Sequence, residues 1–209
     1  MRKTKTFFVS LIDRNFKTFI VLSISGGACY LVFYSLQYCI QDLGLSNINQ
    51  NGILFGITQC IGYLGILPFS HKIKRRMGLL VTNVVILIAG VLLFFLSKVE
   101  KTQTIRLAQS LISTFLMGVF DSVGQMFLYA ITSESYPTKI RGAANALILY
   151  ASKLLGSSFP YFKTWSLERG LHVMVGSCAL SLIAIPTIFF VEETLVRADE
   201  KKKLNKVEA

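Results

Sequence analysis

Apolar residues lie in six blocks along the chain, each roughly as long as a membrane-crossing helix requires. A helix needs about 20 mostly apolar residues to cross the hydrocarbon core of a bilayer. None of the blocks alternates apolar and polar residues as a half-buried strand does. The pattern therefore predicts an all-α polytopic membrane protein with six transmembrane helices, at residues 19–40, 52–69, 78–97, 107–132, 143–162 and 171–191.

The composition supports a membrane protein. Of the 209 residues, 53% are hydrophobic and only 16% are charged, whereas about a quarter of a soluble domain is charged. The charged residues lie mostly between the apolar blocks. These features exclude a soluble globular enzyme, a disordered chain and a disulfide-stabilised scaffold.

The distribution of basic residues predicts the orientation of the helices. The 22 Lys and Arg flank the apolar blocks and do not form a basic face, so nucleic acid is not an expected partner. Six spans place both termini on one side, and 16 Lys and Arg fall on that side against five on the other. Because the basic side faces inward, both termini are predicted to be cytoplasmic, or on the matrix side of a mitochondrial inner membrane.

The two ends of the chain are predicted to lie outside the bundle. Residues 1–18 form a basic N-terminal arm with one acid, Asp13, and residues 192–209 form a charged C-terminal tail. The arm is interpreted mainly as a juxtamembrane segment. The alternative is a mitochondrial import signal, which is also basic and poor in acids, and only this alternative suggests a mitochondrial location.

Two formal charges lie deep inside the predicted spans, Asp121 in the fourth and Lys153 in the fifth. Each costs about 2.5–3.5 kcal/mol at the membrane centre if it is unpaired. Both lie about 17–18 Å from the cytoplasmic helix ends, close to the midplane. One hypothesis is that the two side chains form an ion pair, or that Lys153 faces a polar cavity that binds an anion. The other is that the pair only joins two helices.

Polar residues recur at helical spacing within the spans. Asp121, Gln125 and Tyr129 lie on one face of the fourth span, and Tyr30 and Tyr34 lie on one face of the first. These faces suggest a water-accessible interior. For the tyrosines alone, helix packing is the favoured alternative. If the protein is a transporter, the predicted substrate-binding residues are Lys153, Asp121, Gln125, Tyr34 and Tyr30.

No motif in the sequence points to catalysis, a metal or a cofactor. His71 and His172 lie at span ends without further ligands nearby, and the four cysteines lie in or beside apolar blocks without a C-x-x-C pair. Neither a nucleophile elbow nor a phosphate-binding loop occurs. The sequence therefore predicts a protein that is not an enzyme and that binds no metal or cofactor.

The segment 134–142 reads ESYPTKIRG and lies on the cytoplasmic side, between the fourth and fifth spans. Pro137 is expected to end the preceding helix, because the residue before a proline disfavours the helical conformation. Thr138 is expected to cap the next helix. Glu134 and Arg141 are then expected to pair across the turn and hold the two helix ends together.

This segment resembles the E-x-x-P-T-x-x-R-G motif that follows the tenth helix of the major facilitator superfamily. Its nearest form is that of the organic anion and organic cation transporters, E-L-Y-P-T-x-x-R. The stretch HKIKRR at 71–76, with Arg75 and Arg76, resembles D-x-x-G-R-R between helices eight and nine. The resemblance implies that Glu134, Pro137, Thr138, Arg141 and the two arginines form the motifs at the cytoplasmic gate and helix ends.

Two further stretches occur in the matching order. Lys153, seven residues before Pro160, resembles a basic residue of helix eleven that is associated with charged substrates in that family. Glu193 belongs to a stretch that resembles the P-E-T motif after helix twelve. The resemblance covers roughly residues 15–197 and implies the C-terminal six-helix half of a major facilitator fold.

The sequence also departs from the family pattern. His71 replaces an acid that normally belongs to the gate network, Lys74 replaces a glycine, and Glu192 replaces the proline of P-E-T. The match is to one half of the fold only. Transport in this superfamily rocks one half against the other around a site at the midplane.

Two functional interpretations follow. In the first, the chain resembles half of an organic-ion carrier that needs a partner half to transport a small organic ion. In the second, it is a non-transporting structural or accessory subunit of a larger membrane complex, for example in the mitochondrial inner membrane. The expected partners are membrane lipid and either a second six-helix half or other membrane subunits.

Overall fold

The computed structural model describes residues 2–38, 48–70, 72–99, 102–172 and 174–190, and all regular secondary structure in these ranges is helical. Short 3-10 and π segments lie at Leu67–Phe69 and Leu111–Leu116. The α-helices are α1 (Arg2–Tyr38), α2 (Ile48–Ile66), α3 (Arg75–Lys98), α4 (Gln103–Ser110), α5 (Met117–Ser135), α6 (Thr138–Gly156), α7 (Phe159–Glu168), α8 (Met174–Ser177) and α9 (Ala179–Ile188).

Among the described residues, four helical stretches are long and apolar enough to cross a membrane: Phe16–Gln37, Gly52–Phe69, Arg75–Lys98 and Gln103–Ser135. A shorter apolar stretch follows at Met174–Ile188. In a membrane only helices and closed barrels satisfy every backbone hydrogen bond internally. The prediction of an all-α polytopic membrane protein is confirmed.

The structure divides the fifth predicted span, 143–162, after Gly156. Ser157 and Ser158 form a turn, in which the Ser157 N–H donates to the carbonyl of Lys153 at 2.8 Å. Helix α7 then begins at Phe159, with Pro160 in its first turn. Proline suits this position, because its missing N–H has no partner within the first turn of a helix.

The ends of the chain differ in how they relate to the bundle. Helix α1 begins at Arg2, so residues 2–18 of the predicted arm are helical and continue directly into the first span. The predicted tail, 192–209, and with it Glu193, lies outside the described residues, as does His71.

Helices α1 and α5 form the centre of the bundle. Helix α1 packs against α6, α9 and α5, and α5 also packs against α2 and α3. The apolar stretch of α1 is 72% buried, whereas that of α2 is only 11% buried. Helix α2 therefore lies at the edge, and most of its apolar surface faces outward, as expected for a helix in contact with lipid or another membrane protein.

Two apolar clusters fill the bundle at different levels. The cluster at the end of the bundle that carries the 134–142 turn includes Leu22, Leu79 and Leu128, and the cluster toward the other end includes Leu36, Leu93 and Met117. Asp121 and Gln125 lie between Met117 and Leu128 on α5 and are therefore at the level that separates the clusters. These two polar side chains consequently lie between the apolar clusters, near the middle of helix α5.

Candidate functional site

The site is built around one face of α5. Asp121 is fully buried and Gln125 is 5% exposed. Because the two residues are one helical turn apart, Gln125 Nε2 donates to Asp121 Oδ2 at 2.9 Å. The stripe predicted from the spacing of Asp121, Gln125 and Tyr129 thus includes a direct hydrogen bond.

Helix α2 contributes two residues that the sequence analysis did not identify. Tyr63 Oη donates to Gln125 Oε1 at 3.0 Å, so the Gln125 amide links the carboxylate to a tyrosine. Ser122 Oγ donates to Gln59 Oε1 at 2.6 Å. Gln59 and Tyr63 are four residues apart on one helix face, and this spacing was the available signal.

Helix α1 contributes the two tyrosines predicted from its own spacing. Tyr30 is 5% exposed, and its hydroxyl lies 3.2 Å from the hydroxyl of Tyr129 on α5. Tyr34 is half-buried, and its ring centroid lies 6.1 Å from that of Tyr30. Tyr30 therefore does more than pack against a neighbouring helix, because it also makes a polar contact across the bundle.

Lys153 does not pair with Asp121, so the expected ion pair is wrong. The Lys153 side chain is exposed, and its Nζ lies 5.7 Å from the ring centroid of Tyr30, over the ring face. Glu134, and not Asp121, is the acid that forms an ion pair with a basic side chain, that of Arg75. The other part of that hypothesis, in which Lys153 faces a polar cavity that binds an anion, stays a prediction.

The close approach of α1 and α6 brings Lys153 to Tyr30. A Cβ on Gly156 would lie 2.8 Å from Tyr30 Cβ and 3.0 Å from the backbone carbon of Tyr30. Ser152, next to Lys153, donates to the carbonyl of Ser23 at 3.3 Å. Small residues at the crossing therefore let the two backbones approach.

The side chains described above form a polar layer: Asp121, Gln125, Ser122, Tyr129, Gln59, Tyr63 and Tyr30. One hydrogen-bond acceptor in this layer has no partner of ordinary geometry. Asp121 Oδ1 is buried and accepts no hydrogen bond of ordinary geometry, although the Gln59 side chain lies near the carboxylate. A buried polar atom without a partner costs free energy that the rest of the fold must offset. Helices α1, α2, α5 and α6 thus contribute a carboxylate, two amides, three tyrosine hydroxyls and one amine. These groups can form hydrogen bonds or ionic contacts with a polar ligand.

The 134–142 segment forms the expected turn, but not with the expected cap. Helix α5 ends at Ser135, and Tyr136 is extended with φ −112° and ψ 141°, as the following Pro137 requires. Pro137, and not Thr138, is the residue before α6, and no side chain caps this helix end. Tyr136 is buried outside the spans, and this burial raises its pKa to about 12.

Glu134 pairs with Arg75 and not with Arg141. The Arg75 Nε lies 3.3 Å from Glu134 Oε1, and Arg75 also donates to the carbonyl of Ser70. Arg141 Nε donates to the carbonyl of Tyr136 at 3.4 Å. Arg75 therefore joins the turn after α2 to the end of α5, and the expected clamp between Glu134 and Arg141 is wrong.

Arg76, the second arginine of the 71–76 stretch, lies over an aromatic ring. The Arg76 guanidinium lies 5.1 Å from the ring centroid of Phe189. Within the described part of the chain, no three His, Cys, Asp or Glu side chains are close enough to hold a metal ion. Cys29, Cys60 and Cys178 are free thiols.

We expect the Arg75–Glu134 contact to contribute about 1 kcal/mol, because the pair is partly buried but not fully removed from water. A double-mutant cycle with Arg75→Gln and Glu134→Gln, followed by thermal unfolding in mild detergent, should give a coupling of this size. The same cycle with Lys72→Gln in place of Arg75→Gln is the control and should give none. Equal coupling in both cycles would mean that net charge, and not this contact, determines the effect.

The sequence model of the Major Facilitator Superfamily matches residues 2–160 of the chain. The matched part includes α1 to α6 and therefore every residue of the polar layer. No curated protein matches the chain closely enough to count as a relative.

Proposed function

Because this chain belongs to the major facilitator superfamily, we propose that it is one six-helix unit of a carrier that transports a small organic ion together with a second such unit. It is an integral membrane protein of a transporter family. In this superfamily a midplane site between two units opens alternately to each side. We propose that the unit is similar to the C-terminal half of organic anion and organic cation transporters, because its ESYPTKIRG segment resembles their motif.

The observation that carries the proposal is the polar layer itself. Asp121, Gln125 and Tyr63 form a hydrogen-bonded chain between two apolar clusters. Polar groups at this depth are costly and commonly line a substrate pathway. Tyr63 and Tyr129 are each more than one-third exposed, so the layer reaches the surface of the unit. A second unit placed against that surface would enclose the site.

Lys153 is the proposed contact for an anionic group of the substrate. Its amine is exposed and is positioned by the ring of Tyr30. Tyr34, Tyr30 and Gln125 would provide further polar contacts, and Asp121 would hold Gln125 in place through the 2.9 Å hydrogen bond. A substrate with one anionic group and an apolar body suits an amine surrounded by aromatic rings.

We expect Lys153→Ala to lower the uptake of a small organic anion, such as carboxyfluorescein, by about tenfold or more, because one charge-assisted contact is lost. Uptake would be measured in vesicles that contain the complete assembly. Lys98→Ala is the matched control. The Lys98 amine also lies over an aromatic ring, 5.9 Å from the centroid of Phe94, but Lys98 is the last residue of α3 and is not part of the proposed site. Uptake that is equally insensitive to both changes would remove Lys153 from the site.

A second candidate function is that of a structural or accessory subunit. It is suggested by the 71–76 stretch, which departs from the gate motif of the carriers that it resembles. His71 and Lys74 stand where the related carriers have an acid and a glycine. Sizing the complex in mild detergent separates the candidates: a large assembly with many other subunits favours the accessory role, and a pair of six-helix units favours transport. Imaging of the tagged protein tests the proposed locations, a mitochondrial inner membrane or another membrane with both termini on the cytoplasmic side.

A further inference from the structure

An apolar groove runs along the outer surface of the bundle between α2, α3 and α5. It has a volume of about 380 Å³, and its lining includes Ile61, Gly65, Ile73, Met77, Val81 and Phe127. The polar side chain in the lining, Thr82, has its hydroxyl bonded to the carbonyl of Gly78 at 3.0 Å. A polar solute would find no hydrogen-bonding partner in this groove, so the groove is chemically distinct from the polar layer.

The groove is open at the outer surface of the bundle and has the length of an acyl chain segment. Ile61, Met77 and Val81, along its sides, are 44%, 49% and 47% exposed. Along α5 the lining extends from Val119 to Phe127, which is about 12 Å at about 1.5 Å per residue. One leaflet of the hydrocarbon core is about 15 Å thick, so the groove covers most of the depth of the inner leaflet.

Unpaired basic groups lie at the cytoplasmic end of the groove. Ile73 lines the groove, and its neighbours on both sides, Lys72 and Lys74, are exposed. Neither lysine side chain has an acidic partner among the described residues, and the nearby Glu134 is bound to Arg75. An occupant that suits both parts of this surface carries an apolar chain and a negative charge at the level of the headgroups.

We propose that the groove is a binding site for an anionic phospholipid of the cytoplasmic or matrix leaflet, with an acyl chain between α2 and α3 and the phosphate headgroup at Lys72 and Lys74. The proposal requires the chain to be in a membrane but does not depend on transport. A neighbouring protein helix would fill an apolar groove equally well, but it would leave both lysines without a counter-charge. The charge complementarity therefore favours the lipid.

Fluorescence quenching by brominated lipids tests the site. The natural Trp165 is the chain's only tryptophan, so Trp165→Phe gives a silent background for a reporter at Val81→Trp. A second reporter, Met77→Trp, lies one turn nearer the lysines and serves if the first disturbs folding. The protein is reconstituted in vesicles of phosphatidylcholine and phosphatidylglycerol, with one or the other lipid brominated on its acyl chains.

We expect the anionic lipid to associate with the groove reporter up to about 25-fold more strongly than the zwitterionic lipid, because two basic residues act on it. The selectivity should fall toward one in Lys72→Gln/Lys74→Gln, because each basic residue near the surface contributes about fivefold. The charge-matched control, Lys98→Gln/Arg106→Gln, removes two basic residues from the opposite end and should leave the selectivity unchanged. Equal association of both lipids, or a selectivity indifferent to Lys72 and Lys74, would overturn the proposal.

A second pair of variants tests the acyl chain's position. Gly65 lines the groove, and a Cβ there would meet no atom within 4 Å. The larger side chain of Gly65→Leu should therefore occupy part of the groove and weaken quenching by both lipids. Gly52→Leu is the matched control on the same helix, where a Cβ also meets no atom within 4 Å. Weak quenching by both lipids in the protein with Gly65 intact would mean that another protein covers the groove, and would also overturn the proposal.

Discussion

Replacing Gly62 by alanine should destabilise the protein by about 1–3 kcal/mol, because the added methyl group overpacks the contact between α2 and α5. A Cβ on Gly62 would lie 2.6 Å from the carbonyl oxygen of Val119 and 2.7 Å from Ser122 Cβ. The carbonyl belongs to the backbone of a long helix and cannot turn aside as a flexible side chain could. Helix α2 must therefore move outward, and the hydrogen bond between Ser122 and Gln59 should be lost with it.

Gly65→Ala is the matched control for this prediction. Gly65 is three residues further along α2, where a Cβ meets no atom within 4 Å. Because alanine is the better helix former, this change should be neutral or should stabilise by about 0.5–1 kcal/mol. Thermal unfolding of both variants in the same mild detergent gives the comparison. Equal destabilisation by both changes would show that α2 tolerates no added volume anywhere, and that the α2–α5 contact is not the cause.

The transmembrane fold could be predicted from the sequence because the bilayer makes the helix the only local solution for a long apolar stretch. Four predicted spans, 19–40, 52–69, 78–97 and 107–132, fall on long apolar helices or largely overlap them. The break in the predicted span 143–162 was harder to predict from the sequence. It depends on a turn at Ser157 and Ser158, within a stretch whose overall hydropathy is that of a single crossing.

The partners of the deep polar residues could be predicted only in part. Periodicity indicates which residues share a helix face, and it correctly grouped Asp121 with Gln125. It does not give the rotation of one helix against another, which depends on close contacts such as that of Gly156 with Tyr30. For this reason the depth of Lys153 was a poor guide to its partner, which is the Tyr30 ring and not the carboxylate.

The contacts of the 134–142 segment could also be predicted only in part. Pro137 could be placed at a helix boundary from local chemistry alone, because proline restricts its own neighbour. The ion pair between Arg75 and Glu134 could not be predicted in this way. The two residues are 59 positions apart and meet only because α3 packs against α5. Sequence proximity favoured Arg141, whose side chain instead donates to the carbonyl of Tyr136.

Asp121→Asn should raise the stability of the protein by up to about 2–3 kcal/mol, because it removes a formal charge from the level of the membrane where charge is most costly. The amide has nearly the same shape, and its oxygen can still accept the hydrogen bond that Gln125 Nε2 now donates at 2.9 Å. The measurement is thermal unfolding in mild detergent. A buried acid whose removal stabilises the fold is typical of a group retained for function at the expense of stability.

Gln125→Leu should have the opposite effect, although it alters the other side of the same hydrogen bond. Leucine fits the apolar surroundings, but Asp121 Oδ2 and the hydroxyl of Tyr63 both lose their partner. Each buried polar group left without a partner costs about 1–3 kcal/mol. In the Asp121→Asn background the loss should be smaller, because a neutral amide is less costly to leave unpaired than a carboxylate. If Asp121→Asn and Gln125→Leu lower the melting temperature alike, the role of the carboxylate is structural, and the assignment of this layer to a ligand fails.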